Sequence, residues 1–259
     1  MGREERKKQL YEALIERSRL ELSDAMTLLG VSESTARRLF DELEAEHRAI
    51  RVHGGIRLVR DFMSEYCFEW TAATAAREKE SIARAACTLV EEGDVLYCDS
   101  GTTLHAFCRA LASRIESENL HVSIFTNSLA NLEALSPHTQ VTLIGGRYRP
   151  NRQDFCGFLA ENALSSLGYT RAFLGTDGVL PGQSFMTTDF ETARLNQLAV
   201  EHAEETIVLC DAQKLRRRSM IAYASMDKVS RVVTDLFASD EEVTLLMRAG
   251  ITVVRAVGN

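Results

Sequence analysis

The five residues Asp99-Ser100-Gly101-Thr102-Thr103 follow an apolar run, Val-Leu-Tyr-Cys, and open a stretch with helical spacing. Such a loop offers backbone N–H groups, a small residue permitting close approach, hydroxyls and the positive end of a helix dipole. That combination suits a phosphate. Thr126-Asn127-Ser128 repeats the arrangement after the next apolar run, again before a helical pattern. Gly145-Gly146, Gly175-Thr176-Asp177-Gly178, and Asp211 with Lys214 follow three further runs. Each segment taken singly is also what a turn requires, with glycine for positive φ and Asp or Asn for turn hydrogen bonds. Their recurrence at the ends of successive runs points instead to one shared site. Ligands of open parallel sheets bind outside the carboxyl ends of the strands.

A second group lies near the start of the chain, in Gly30-Val31-Ser32-Glu33-Ser34-Thr35-Ala36-Arg37-Arg38. A helix lying in the major groove presents its N-terminal residues to base edges. Ser34, Thr35, Arg37 and Arg38 stand near that end. An arginine bonds guanine bidentately or clamps a phosphate, and Ser32 at the cap leaves N–H groups that also suit phosphate. Two adjacent arginines alone would equally describe a solvated face. The Gly-Val-Ser turn before them and the His53-Gly54-Gly55 segment after them favour duplex DNA, with Arg51, His53, Gly54 and Arg57 expected at the DNA backbone.

The elements that must carry these groups are readable from periodicity. Residues 3–17 show one apolar face made by Leu10, Tyr11, Leu14 and Ile15. Ser23 and Asp24 can cap a short second helix ended by Gly30, and Ser32 caps a third over about residues 33–46. Residues 50–58 alternate around Gly54-Gly55 as a hairpin does. Three helices and a hairpin predict a winged helix-turn-helix over residues 1–58. Residues 59–77 lack a clear period and read as a linker, leading into a helix over 78–91. Apolar runs then follow at 95–99, 122–126, 141–145, 172–176, 206–211, 231–235 and 251–254. Helical patterns lie between them near 102–115, 128–135, 158–167, 189–204 and 239–249. Near-continuous apolar strands alternating with helices predict an α/β domain over 78–259, with a mostly parallel sheet covered on both faces.

The net charge of −7 is wrong in sign for a DNA-binding chain, but it is unevenly spread. Residues 1–60 hold 12 Lys and Arg against 11 Asp and Glu, whereas the remainder holds 18 against 26. Only the N-terminal segment suits a polyanion, provided its basic groups cluster. The six cysteines show no C-x-x-C pairing and no histidine at zinc spacing, so they read as buried free thiols with no metal site. The chain has no apolar stretch of the ~20 residues that a membrane span needs. The charged start, MGREERKKQL, is not that of a secretory signal. A cytoplasmic protein without membrane or cofactor is expected.

The run VSESTARRLFDELE followed by RVHGGIRLV resembles the DeoR family of bacterial repressors, whose usual pattern is V-S-x-x-T-I-R-R-D-L-x-x-L-E and then R-x-H-G-G. The chain departs from it at Ala36 and at Leu39-Phe40. The segments E-K-E-S-I-A, D-S-G-T-T, F-T-N-S-L, L-I-G-G-R-Y, A-F-L-G-T-D-G-V and D-A-Q-K extend the resemblance in order across residues 78–255. The resemblance implies a sensor domain similar to the ribose-5-phosphate isomerase and CoA transferase folds, binding a phosphorylated sugar or polyol. It implies that Asp99 to Thr103 and Thr126 to Ser128 line the pocket, and that Asp177, Glu191 and Lys214 contact hydroxyls or phosphate. Family members usually carry a lysine where Asn196-Gln197 stands, and here no lysine lies between Lys79 and Lys214. A dianion would then rely on Lys214, helix dipoles and Arg147, Arg149 or Arg152.

The implied function is a regulator, working as a homodimer or homotetramer, that leaves double-stranded operator DNA when effector binds. Activation in place of repression stays open. So does the alternative of a sugar-phosphate isomerase or deaminase fused to a DNA-binding arm, with Glu191, Asp99 and Lys214 supplying base and stabiliser.

Overall fold

The computed structural model describes residues 2–17, 19–46, 48–52, 54–58, 66–180 and 182–257. The chain divides into two compact units, Met1–Trp70 and Thr71–Asn259. His53 and positions 59–65 of the expected linker lie outside the described residues.

The first unit contains α1 (Arg3–Arg17), β1 (Arg19–Glu21), α2 (Leu22–Leu29), α3 (Glu33–Ala45), β2 (Ala49–Val52) and β3 (Gly55–Leu58), with α4 (Phe68–Ala73) crossing into the second. Leu10 and Leu14 of α1, Ala25 and Leu29 of α2, and Leu39, Phe40 and Leu43 of α3 close one apolar core with Leu20 and Ile56. The 3–4 spacing of these residues is why three short helices form at all, since helices this short are marginal without a packed face. The strands β2 and β3 form the expected antiparallel hairpin. The sequence reading missed β1, which pairs with β3. Its three residues are too few to show alternation. The Gly-Gly of the hairpin has two separate causes. Gly54 adopts φ +81° at the turn. Gly55 lies so close to β1 that a Cβ would stand 2.2 Å from the Leu20 carbonyl oxygen.

In the second unit α5 (Ala76–Cys87) is followed by β4 (Val95–Cys98), α6 (Thr102–Glu118), β5 (Ser123–Thr126), α7 (Leu129–Leu135), β6 (Val141–Leu143), β7 (Arg147–Arg149), β8 (Asp154–Cys156), α8 (Phe158–Ser165) and β9 (Tyr169–Gly175). Then come β10 (Gly178–Leu180), β11 (Ser184–Thr187), α9 (Phe190–His202), β12 (Ala203–Leu209), β13 (Ile221–Ser225), β14 (Arg231–Thr234), α10 (Asp240–Arg248) and β15 (Thr252–Arg255). Among the described residues, seven of these strands make one sheet in the order β15-β14-β12-β9-β4-β5-β6. Every neighbouring pair in it is parallel. All seven apolar runs singled out in the sequence became these strands.

Alternation along the strands explains the layers. Leu96, Cys98, Phe173, Ile207, Leu209 and Val233 point to a core shared with α5 and α6. Tyr97, Ala172, Leu174, Val208 and Val232 point to the other face, under α8, α9 and α10. A strand buried on both faces reads as a continuous apolar run because both sets of side chains are inside. Two small antiparallel sheets, β7-β8 and β10-β11-β13, decorate the carboxyl edge and were not expected. The stretch read as irregular before residue 78 carries α4 and the first turn of α5.

Gly178 shows how tightly the edge is packed. A Cβ there would stand 2.0 Å from the Arg217 carbonyl oxygen, a backbone atom that cannot rotate away. Overpacking of this kind costs about 1–3 kcal/mol. Gly178→Ala is therefore expected to lower the thermal midpoint by about 2–12 °C. A midpoint equal to the parent's would contradict this packing.

Candidate functional site

The first candidate surface is the exposed side of α3. Ala36, Leu39, Phe40 and Leu43 are buried, which leaves Ser34, Arg37 and Arg38 facing outward. Thr35 is half-buried. Ser32 occupies the N-cap position, but its side chain makes no cap hydrogen bond. Its hydroxyl pairs instead with the hydroxyls of Ser34 and Thr35, both at 3.1 Å. The first N–H groups of α3 thus stay without a side-chain cap beside three hydroxyls. Arg37 is held by Glu33 one turn earlier, at 2.7 Å. Such an exposed pair is weak and easily exchanged for another anion. Arg51 of the hairpin is tied to α3 twice, by its guanidinium to Asp41 at 2.5 Å and by its backbone N–H to Glu44 at 2.8 Å. The hairpin is thereby fixed to the helix it flanks. Gly54 and Arg57 are exposed on it.

The second candidate site is the carboxyl rim of the sheet. The register aligns Leu143, Thr126, Cys98 and Phe173 across β6, β5, β4 and β9, and Gly175 with Leu209 of β12. The segments following these strands therefore emerge on one edge. The chain order reverses between β4 and β9, since β5 and β6 continue to one side and β12, β14 and β15 to the other. A crevice outside the strand ends is expected at such a reversal.

Asp99 stands in it. Its Oδ1 accepts from the Ser100 N–H at 2.7 Å and its Oδ2 from the Gly175 N–H at 3.2 Å, linking the ends of β4 and β9. The side chain is buried, and burial raises its carboxyl to about 7 against the opposing pull of those two N–H groups. Asn131 of α7 donates to the Asp99 carbonyl at 2.9 Å, and Ser100 Oγ donates to Asp154 at 2.9 Å.

Beyond Asp99 the chain turns at Gly101 with φ +108° and enters α6, which has no side-chain cap. The leading N–H groups of α6 have no helical acceptor, and the Thr102 and Thr103 hydroxyls lie beside them. Thr126, Asn127 and Ser128 are used differently. All three are fully buried. Thr126 Oγ1 donates to the Cys98 carbonyl at 2.7 Å, and Asn127 joins the Tyr97 hydroxyl and the Phe155 carbonyl, both at 3.1 Å. Ser128 closes the N-terminus of α7 by accepting from Asn131. The sequence suggested two equivalent anion loops, but only the one at α6 keeps its donors open.

The remaining residues fall into two groups. Gly146 packs on backbone, where a Cβ would stand 2.5 Å from the Cys156 carbonyl oxygen, while Gly145 has open space around it. Asp177 accepts from Thr187 Oγ1 and from the Thr188 N–H and hydroxyl at 2.9–3.0 Å. Burial acts to raise its carboxyl, but nearby Lys214, the Thr188 N–H and Arg152 outweigh it and the carboxyl is held low. Lys214 also lies 3.8 Å from Asp211. Glu191 opens α9 but is held by Arg147 at 2.5 Å and by the Cys156 thiol at 3.2 Å.

Arg149 grips both oxygens of buried Asp154 at 2.8 Å, then reaches Asp189 at 2.5 Å and Thr192 at 3.0 Å. Burial alone would raise the Asp189 carboxyl, yet these bonds hold it down at about 2. All three arginines considered as phosphate cations already face carboxylates: the part-buried Arg149 pairs with Asp154 and Asp189, Arg152 lies 3.9 Å from Asp154, and the exposed Arg147 pairs with Glu191. Asp154, Asn131 and Asn196 were missed as site residues. A helical step of three from Ser128 could have pointed to Asn131. Nothing in the local pattern marks Asp154.

The position of Asp99 has a measurable consequence. A carboxyl near 7 in the folded chain and near 4 in the unfolded chain makes the folded state bind more protons between those values. Stability should then fall as pH rises from about 4 to about 7. Asp99→Asn should abolish that part of the decline, an effect on the order of a few kcal/mol, in chemical denaturation across this range. An unchanged slope in the variant would contradict the assignment.

The DeoR-like helix-turn-helix domain matches residues 6–62, and the DeoR C terminal sensor domain matches residues 74–236. A lactose phosphotransferase system repressor of Streptococcus mutans is 29% identical over 246 residues, covering 93% of this chain and 95% of the relative. The same repressor of Staphylococcus aureus is 29% identical over 259 residues, covering 98% and 100%. The HTH-type transcriptional regulator GlpR of Haloferax volcanii is 26% identical over 253 residues, covering 98% of each. Among solved structures, ribose 5-phosphate isomerase A of Methanocaldococcus jannaschii matches 52% of each chain with 23% identity and a TM-score of 0.39. With both halves matched in order, the chain belongs to the DeoR family of transcriptional regulators.

Proposed function

We propose that the chain represses genes of sugar or sugar-alcohol metabolism and leaves its operator when a phosphorylated sugar or polyol binds the second unit. The observation that carries this reading is the uncapped start of α6 beside Asp99, set in the crevice where the strand order reverses. The phosphate sits on the N–H groups of Gly101, Thr102 and Thr103 and on the threonine hydroxyls, with Lys214 as the cation. Asp99 and Asp177 take hydroxyls. Gly175 and Gly178 shape the backbone around them, and the buried Thr126-Asn127-Ser128 turn positions the loop. On the DNA side, Arg37 and Arg38 read the major groove, while Ser32, Ser34, Thr35, Arg51, His53 and Gly54 seat the helix and wing on phosphates.

A homodimer or homotetramer supplies the second reading helix that a palindromic operator demands. The protein works in the cytoplasm and needs no cofactor. Among the described residues, no helix is long and apolar enough to cross a membrane. Catalysis is not part of this reading. Glu191, one of the three residues that could supply an isomerase's base or stabiliser, is bonded to Arg147 and Cys156.

Operator binding measured at physiological salt tests the proposal. A phosphorylated sugar or polyol should weaken binding by about 5–150-fold, the usual range of such coupling. No effect from any of them would remove the sensor role. Arg38→Ala should weaken operator binding about tenfold or more and leave effector affinity as it was. Undiminished DNA binding would remove Arg38 from the interface. Turnover of ribose 5-phosphate by the purified chain would favour the enzyme instead.

A further inference from the structure

Asn196 lies on the sheet-facing side of α9 and is only 1% exposed. Neither its amide nitrogen nor its carbonyl oxygen has a hydrogen-bond partner. Its neighbours along the helix face, Ala193 and Ala199, are small and buried and offer it nothing polar. The carboxamide stands beside the Asp99 carboxyl, close enough to favour its ionised form, without completing an aligned bond. Asp99 Oδ1 faces both the Ser100 N–H and, at 3.5 Å, its hydroxyl, whereas Oδ2 accepts only from the Gly175 N–H among the described residues. Each carboxylate oxygen can accept a second. Two amide donors, an amide acceptor and the spare lone pair of Asp99 Oδ2 thus converge where β4 and β9 end. A buried amide left unpaired is costly, and burying one without using it would weaken the fold for no return.

We propose that Asn196 and Asp99 form a hydroxyl-recognition subsite that makes the sensor prefer the alcohol form of a phosphorylated ligand over its matched open-chain carbonyl form. The chemistry is one of donors and acceptors. A hydroxyl accepts from Asn196 Nδ2 and donates its own proton to Asn196 Oδ1 or to Asp99, so both residues gain a partner. A ketone or aldehyde oxygen accepts only. Above about pH 7, where Asp99 is ionised, it satisfies the Asn196 nitrogen, leaves Oδ1 unpaired, and turns its lone pairs toward the carboxylate, so the preference is read at about pH 8. Sites built to bond a hydroxyl discriminate strongly against analogues that leave buried groups unpaired.

The inference rests on the reading of the second unit as a receptor for phosphorylated polyhydroxy compounds, and its test separates the two. Calorimetric titration of the full chain would use ribulose 5-phosphate against ribitol 5-phosphate, fructose 6-phosphate against glucitol 6-phosphate, and inorganic phosphate. The parent should bind at least one polyol phosphate tenfold or more tightly than its carbonyl partner. Asn196→Leu, close in size and apolar, should reduce that preference to about one. It should leave inorganic phosphate binding as it was and keep the parent's thermal midpoint or raise it. Asn196→Ala serves as a second variant if the leucine disturbs packing, with the same loss of preference expected.

Equal affinity for both members of each pair, a preference for the carbonyl form, or a preference that survives both variants overturns the subsite alone. In the last case Asn196 holds an internal water only. Binding by none of the compounds overturns the receptor reading and the subsite with it.

Discussion

A single buried carboxyl holds together the part of the molecule where we place the effector site. Asp99 bonds the backbone just beyond the paired ends of β4 and β9, at Ser100 and at Gly175. The strand order reverses there because the chain builds its parallel sheet outward in two directions from β4. Strands on either side carry their following segments away from each other, and the space left between them must be floored by something polar. Asp99 occupies that place, with Asn196 of α9 beside its carboxyl and Asn131 donating to its carbonyl. Replacing any one of these changes the shape of the same crevice. The price of the arrangement is a carboxyl that ionises reluctantly, because it is buried.

Around this floor the protein spends its charged groups on rigidity. Arg149 joins the β7-β8 hairpin to the start of α9 through Asp154 and Asp189. Ser100 ties the α6 loop to the same Asp154. The loop that would receive a phosphate is therefore braced by a network that does not itself need ligand. Preorganisation of this kind lowers the ordering cost of binding. It also separates groups that the sequence presents as equivalent: Arg149 and Arg152 are engaged with Asp154, whereas the start of α6 has no side-chain cap. The DNA-reading unit follows the same plan on a smaller scale, with Arg51 bracing the hairpin against α3 and leaving Arg38 exposed.

Much of this fold was legible before any coordinates. The strands β4, β5, β6, β9, β12, β14 and β15 are buried on both faces, so their apolar runs stand out against helices of period 3.6. The α1 to α3 cores showed through the same periodicity. The pieces that escaped notice are short or half-exposed. β1, β7, β8 and β10 have three residues each, and alternation over three residues carries almost no information. Site residues divide in the same way. Asp99, Thr102 and Thr103 sit next to a strand end and a helix start, a local signature. Asp154 reaches Ser100 across 54 positions of sequence, and Asn196 meets Asp99 from a different helix altogether. Contacts of that separation leave no trace in a single sequence, because neither residue's neighbours differ from those of an ordinary turn or helix.

The central claim is that one crevice at the rim of the sheet receives the phosphate of the effector. A crystal structure of the full chain with a phosphorylated polyol that releases operator DNA addresses it directly. The account predicts phosphate oxygens within hydrogen-bond distance of the N–H groups of Gly101, Thr102 and Thr103, and a ligand hydroxyl between Asp99 and Asn196. A phosphate bound at the opposite edge of the sheet, or on the exposed Arg217 and Arg218, would contradict it.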